Sequence, residues 1–281
     1  MIVVTGASGN VGRPLVEALA AAGAKVTAVS RSPLSYDLPE GARHVRADLA
    51  EPDTLRPAVD GADALFILLA GDLLGGGAPA TEVVAAAAEG GVRRVVLLSS
   101  QINGTRPDVL SHGRLREFEE AVRSSDLDWT ILRPGGFASN AYGWAEAVRT
   151  QRAVIAPFAD VALPVVDPAD IAEVAAAVLR EEGHSGQTYE LTGPAAVTPR
   201  EQAAAFAEAL GEEVGFVELT REQAREHMAR FMPEPVIDGT LDIIGAPLPA
   251  EQRVSPDVER ILGRPAGSFA GWAERNVHAF K

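Results

Sequence analysis

The run Thr5-Gly6-Ala7-Ser8-Gly9-Asn10-Val11-Gly12 spaces three glycines three residues apart, between a β-branched stretch and an amphipathic one. A glycine triplet is informative when it leaves a strand and opens a helix, and this one does both. Gly6 would allow the tight turn, Gly9 the approach of a diphosphate to the backbone, and Gly12 close packing of helix on strand. Free N–H groups at the helix start, around Ser8, Asn10 and Val11, add the partial positive charge that holds phosphate. The loop reads as a dinucleotide cradle rather than a plain turn.

The end of the second strand decides which nicotinamide dinucleotide fits. An acid about 20 residues past the loop would accept from a free ribose 2′-hydroxyl. Here the chain has Ser30-Arg31-Ser32 and no acid. A guanidinium flanked by hydroxyls suits a 2′-phosphate, so the expected cofactor is NADP(H). Asp48, with Leu49 beside it, follows the third strand and would face the adenine; a loop-capping acid is the other reading of Asp48. Leu69, Ala70 and Gly71 follow the fourth strand, and Ser99, Ser100 and Gln101 the fifth. Open α/β sheets bind ligands at such carboxyl ends, so the first five join the cofactor set and Gln101 the substrate set.

A hydride acceptor usually needs a proton as well. One common device is a tyrosine whose pKa is lowered by a lysine four residues on. This chain has only Lys25 and Lys281, neither with a tyrosine four residues before it, so that pair is absent. His112 and Arg116 stand four apart where the helix after the fifth strand begins. An imidazole titrating near 6.5 would donate a proton close to neutrality, with Arg116 pushing that value down. A helix-start histidine beside an ordinary surface arginine is the alternative. Phe137, Asn140 and Tyr142 offer an aromatic wall with polar anchors for a flat substrate, and Tyr142 is a second candidate proton donor. Trp144 reads as packing. No metal site is expected.

These residues need a scaffold, and the chain spells one out. Ile2–Thr5, Lys25–Ser30, Arg43–Ala47, Leu65–Leu69 and Arg94–Ser99 are short runs rich in Val, Ile or Leu, as buried strands are. Helical spacing fills the gaps at Val11–Ala22, Glu51–Val59 and Pro79–Glu89, and a helix from about Leu115 to Ser125 precedes a sixth strand, Asp128–Arg133. Such alternation predicts an α/β, Rossmann-type doubly wound parallel sheet. After Arg133 the pattern breaks at Pro134-Gly135-Gly136. Strand-like Leu163–Val166 and Gln187–Leu191 flank a helix at Pro168–Arg180. Thr198-Pro199-Arg200-Glu201 is a capping box for Pro199–Leu210, closed by Gly211. The expected division is a dinucleotide-binding domain over 1–155 and a smaller, mainly helical substrate lobe over 156–281, with part of 163–192 returning to the sheet.

Composition narrows the partners. The 281 residues are 47% hydrophobic and include no cysteine, which removes thiolate metal sites, disulfides and cysteine nucleophiles. A net charge of −14 argues against nucleic acid and anionic membranes. No apolar run approaches the ~20 residues of a membrane helix. A small-molecule substrate, a cytoplasmic location and a monomer or homodimer are the expectations.

The glycine loop, together with Trp129-Thr130-Ile131-Leu132-Arg133-Pro134-Gly135-Gly136-Phe137-Ala138-Ser139-Asn140, resembles the NmrA-like branch of the atypical short-chain dehydrogenase/reductases. Val166-Asp167-Pro168-Ala169-Asp170-Ile171-Ala172, Leu191-Thr192-Gly193-Pro194 and the Ser268–Ala273 tail are similar to further stretches of that family. The resemblance spans nearly the whole chain. It implies a Rossmann domain with a small substrate lobe and a bound nicotinamide dinucleotide. Members include NAD(P)H-dependent quinone reductases, enzymes reducing phenylpropanoid-like substrates, and regulators that bind the dinucleotide without turnover. The leading expectation is an NADPH-dependent oxidoreductase passing hydride to a small conjugated carbonyl or quinone. The alternatives are an NADP(H)-sensing regulator acting through a protein partner and, more remotely, a non-redox lyase, cyclase or isomerase on the same scaffold.

Overall fold

The computed structural model describes residues 1–230, 232 and 234–281. Seven strands form one sheet: β1 (Ile2–Thr5), β2 (Val26–Ser30), β3 (Ala42–Arg46), β4 (Ala64–Leu68), β5 (Arg94–Leu98), β6 (Asp128–Pro134) and β8 (Gln187–Leu191), in the order β3-β2-β1-β4-β5-β6-β8. The pairs from β3 through β6 are all parallel, with Ile2 opposite both Val26 and Ala64. The order reverses between β1 and β4, which opens a crevice at their carboxyl ends.

Two faces of the sheet are covered, as a parallel sheet requires. On one, α2 (Pro52–Val59), α3 (Ala80–Glu89) and α5 (Gly113–Arg123) bury Leu55, Val83 and Phe118 against Val3, Leu65, Ile67 and Val95. Elsewhere α1 (Gly12–Ala21) packs on α7 (Pro168–Arg180), a helix buried on nearly every side. That explains its Ala- and Val-rich composition: a helix enclosed on all sides needs no polar stripe.

The chain divides into two compact units that interleave along the sequence. The first comprises Met1–Asn103, His112–Pro134 and Pro168–Glu190; the second comprises Gly104–Ser111, Gly135–Asp167 and Leu191–Lys281. The short helix α4 (Ile102–Thr105) spans the first change of unit. The second unit is mainly helical and also holds a parallel pair, β7 (Ala153–Pro157) with β9 (Gly215–Leu219). Residue 155 therefore lies inside a strand. Leu163–Val166 is not a strand: Leu163 makes an isolated antiparallel bridge to Val197 and Val166 a parallel one to Phe137, with Pro164 between them lacking the N–H a ladder needs.

The helices of this unit, α6 (Ala145–Gln151), α8 (Pro199–Leu210), α9 (Arg221–Met228), α10 (Glu234–Gly245), α11 (Asp257–Leu262) and α12 (Phe269–Asn276), include one that follows its sequence signals residue for residue. The Thr198 hydroxyl accepts from the Glu201 amide at 3.1 Å, the Thr198 amide donates to the Glu201 carboxylate at 2.7 Å, and Gly211 ends α8 at φ 69°. The core beneath α8 is aromatic. Phe206 lies 4.2 Å from Phe280 and 5.6 Å from Phe269, ring centre to ring centre, and is fully buried. Phe206→Ala should cost about 3–5 kcal/mol. Phe206→Leu, which refills most of the volume, should cost clearly less. Denaturant unfolding followed by tryptophan fluorescence checks both, and equal losses would refute the packing account.

Candidate functional site

The crevice at the switch point is assembled from four strand ends. Thr5 sets its base: its hydroxyl donates to the Phe66 carbonyl at 3.0 Å and accepts from the Leu68 amide at 2.9 Å, joining β1 to β4 where they diverge. Thr5, Gly6, Ser8, Gly9 and Asn10 line the wall on the β1 side. Gly6 turns at φ 66°, the Ala7 amide donates to Val29 at 3.0 Å, and the Gly9 amide donates to Gly6 at 3.0 Å. A Cβ on Gly12 would stand 2.1 Å from the Gly6 carbonyl oxygen, so only glycine lets α1 start this close to the loop. Val11 occupies the N-cap position, is fully buried, and no side chain caps the helix. Val11 and Gly12 are thus placed to act only through their backbone. An uncapped helix start behind a loop whose residues 6, 9 and 12 are glycine fits a diphosphate.

The loop after β2 fills the next side. Val29, Ser30 and Arg31 line the crevice, and Ser32 is exposed beside it. The Arg31 guanidinium reaches toward the loop after β4, where its Nη2 is 3.3 Å from the place a Cβ on Gly71 would take. Ser30, by contrast, has its hydroxyl committed: it donates to the Ser32 carbonyl at 2.5 Å and lies 2.9 Å from His44 Nε2. A latch absent from the sequence reading closes this loop onto the cradle. Tyr36 donates to the Ala7 carbonyl at 2.9 Å, with the Arg13 guanidinium 4.7 Å above its ring. Burial, with Glu17 behind it, raises the Tyr36 pKa and keeps the latch protonated.

Ala47, Asp48 and Leu49 form the side after β3. Asp48 Oδ1 accepts from the Ala50 amide at 2.9 Å, a loop-capping bond that leaves its second oxygen available. After β4, Leu68, Ala70 and Leu73 line the crevice, whereas Leu69 is turned into the core. Gly71, at φ 61°, starts the turn beneath Arg31.

The end of β5 departs from expectation. The Ser99 hydroxyl donates to Glu119 Oε1 at 2.6 Å and accepts from Asn103 Nδ2 at 2.9 Å. Glu119 is 2% exposed and is gripped by Arg133 through two bonds, 2.9 and 2.6 Å, with Arg123 at 3.0 Å. Burial would raise this carboxyl's pKa; bonds from Arg133 and Ser99 overcome that and hold it below the usual range. Ser99 therefore belongs to an internal network. Ser100 accepts from the Ile102 amide at 3.2 Å, and Gln101 is buried with its amide on Pro134 at 2.9 Å. Among the described residues, none of these three lines the crevice.

His112 sits at the N-cap position of α5, and Arg116 on the same helix reaches Asn103 at 3.4 Å. Burial, and then the Arg116 charge, push the His112 pKa down from 6.5 to about 4. The imidazole is neutral at pH 7, so the expected proton donation by an imidazolium near neutrality is corrected to a neutral ring. In the second unit, Phe137 precedes a 3-10 turn, Ala138–Trp144, and Asn140 is exposed on it. Tyr142 donates to Asn276 at 2.6 Å, stacks on Phe280 at 5.8 Å and meets Trp272 edge-on at 5.1 Å. Burial, with the charge of Asp167, raises its pKa. Its proton is already given to Asn276, which favours a packing role. Trp144 packs on the same aromatic core, as the sequence suggests. Among the described residues, no cluster suits a metal ion, and no helix is long and apolar enough to cross a membrane.

Comparison with known proteins bears on this geometry. Residues 6–182 match the family model described as NAD(P)H-binding. The chain is 37% identical over 285 residues to the (4-alkanoyl-5-oxo-2,5-dihydrofuran-3-yl)methyl phosphate reductase of Streptomyces griseus, covering 100% of this chain and 99% of the relative. It is 33% identical to the NAD(P)H azoreductase of Xenophilus azovorans, with the same coverage. An NADPH complex of the quinone oxidoreductase QOR2 from Escherichia coli superposes with a TM-score of 0.81 at 26% identity, covering 100% of both chains. The crystal structure of NmrA, at 20% identity over 97% of this chain and 94% of that one, shares the fold with a TM-score of 0.75. The glycine cradle, the strand order and these matches agree: the chain belongs to the NAD(P)H-binding family.

Proposed function

We propose that this protein is an NADPH-dependent oxidoreductase that passes hydride to a small, flat, conjugated carbonyl or quinone-like acceptor without a Tyr-x-x-x-Lys pair. The observation that carries the reading is the crevice: a glycine-rich diphosphate cradle with a guanidinium, Arg31, where an NAD-selective site would carry an acid. The names of the relatives support the substrate class, since an acyl dihydrofuranone, an azo dye and a quinone are all conjugated acceptors.

The roles divide by position. Backbone groups from Gly6 to Gly12 hold the diphosphate, Arg31 with Ser32 holds the 2′-phosphate, and Asp48 and Leu49 border the adenine. Ala70 and Gly71 shape the passage beyond. Bound nicotinamide supplies the hydride. Reduction of a quinone or enone asks the protein chiefly for proximity and orientation, which well-held reactants can convert into about 7–11 kcal/mol of barrier lowering. A neutral His112 is suited to donating a hydrogen bond to an acceptor oxygen, since it needs no charge to polarise it. Phe137 and Asn140 are assigned to the substrate, and Tyr142→Phe separates packing from proton supply.

Four outcomes are expected. Arg31→Asp should weaken NADPH binding by about ten- to a hundredfold, the worth of charge-assisted bonds to a phosphate, with NADH affinity held or improved. Fluorescence titration with both dinucleotides measures it, and an unchanged preference removes Arg31. The rate with a quinone acceptor should show no transition near pH 6.5, because His112 takes up its proton only near pH 4. Stability should correspondingly fall as the pH drops from 6.5 toward 4, where the unfolded chain binds a proton that the folded one refuses. Finally, NADPH oxidation should accelerate with at least one of a panel of quinones, acyl butenolides and azo dyes. Tight cofactor binding with every acceptor at background would replace this reading with an NADP(H) sensor.

A further inference from the structure

Ser30 carries one hydroxyl proton, and the geometry shows where it goes. The Oγ to Ser32 carbonyl distance of 2.5 Å is a bond only Ser30 can donate, because a carbonyl has no proton to give. The second contact, 2.9 Å to His44 Nε2, must then be donated by the imidazole, so Nε2 carries a proton. His44 sits on β3 opposite Ala28 of β2, which places its side chain on the same sheet face as that of Ser30, two residues on. His44 is partly exposed and Ser30 is 7% exposed, so the Ser30 oxygen has little access to water as a substitute donor.

The bonds from Ser30 to Ser32 close a small ring around Arg31. They fix the backbone from which its guanidinium extends across the crevice to the turn at Gly71. We infer that His44 is a positioning residue for cofactor choice: its Nε2–H holds Ser30, Ser30 holds the Ser32 carbonyl, and the closed turn aims Arg31 at the 2′-phosphate of NADP(H). His44 touches neither cofactor nor substrate in this account. The inference rests on the assignment of Arg31 to the 2′-phosphate, and the test separates the two.

The experiment titrates NADPH and NADH into the wild-type protein, His44→Ala, His44→Gln and Arg31→Asp. A glutamine amide places an N–H close to where Nε2–H stands. His44→Ala should weaken NADPH binding by about three- to tenfold, the worth of one hydrogen bond. Its NADH affinity should stay within about twofold, which also reports an intact crevice. His44→Gln should restore most of the NADPH affinity. Equal loss of both dinucleotides in His44→Ala, no loss of either, or failure of His44→Gln to rescue would overturn the inference. If Arg31→Asp loses NADPH preference while His44→Ala keeps it, only the role of His44 falls. If both variants keep the preference, the Arg31 assignment falls and this inference with it.

Discussion

The close approach of Gly12 to the Gly6 carbonyl is the constraint on which the rest depends. With 2.1 Å between that oxygen and any added Cβ, the first turn of α1 can lie against the loop only if residue 12 has no side chain. This contact brings the uncapped helix start to the carboxyl ends of β1 and β4. Everything else around the crevice keeps the loop from relaxing. Thr5 ties the two strand ends together beneath it, and Tyr36 holds Ala7 from above. The α1–α7 packing holds the helix itself in place.

A second constraint acts at the end of β5. A carboxylate as buried as Glu119 is costly unless its oxygens are matched, and Arg133, Arg123, Ser99 and Asn103 supply the matches. The network links β5, β6 and α5, so the start of α5 is fixed against the sheet. Separately, burial and then the charge of Arg116 keep His112, at the start of α5, neutral.

Much of the fold is legible in the chain because it is encoded by local rules. The capping box at Thr198 and Glu201, the proline at the first turn and Gly211 at the end define α8 from neighbouring residues alone. The glycine loop and strands β1 to β6 follow from periodicity and turn chemistry in the same way. What escapes is contact over long separation. The Tyr36–Ala7 latch, the Ser30–His44 bond and the Ser99–Glu119 pair join residues 29, 14 and 20 apart, and nothing in the intervening sequence announces them. Pairing of β7 with β9 is hidden for the same reason, across some sixty residues. Ser99 is the instructive case: its place after β5 is read correctly, yet its hydroxyl is claimed by a partner that only the folded chain brings near.

The interleaving of the two units bears on how the molecule comes into being. The chain leaves the first unit after Asn103, Pro134 and Glu190, and helix α7 arrives only in the last of its segments. A ribosome that has released residue 150 has delivered the whole glycine loop but not the helix against which α1 rests. The helix that packs on α1 is complete only once residue 180 of the 281 has emerged. A contiguous fragment that holds all three segments of the first unit must run to residue 190.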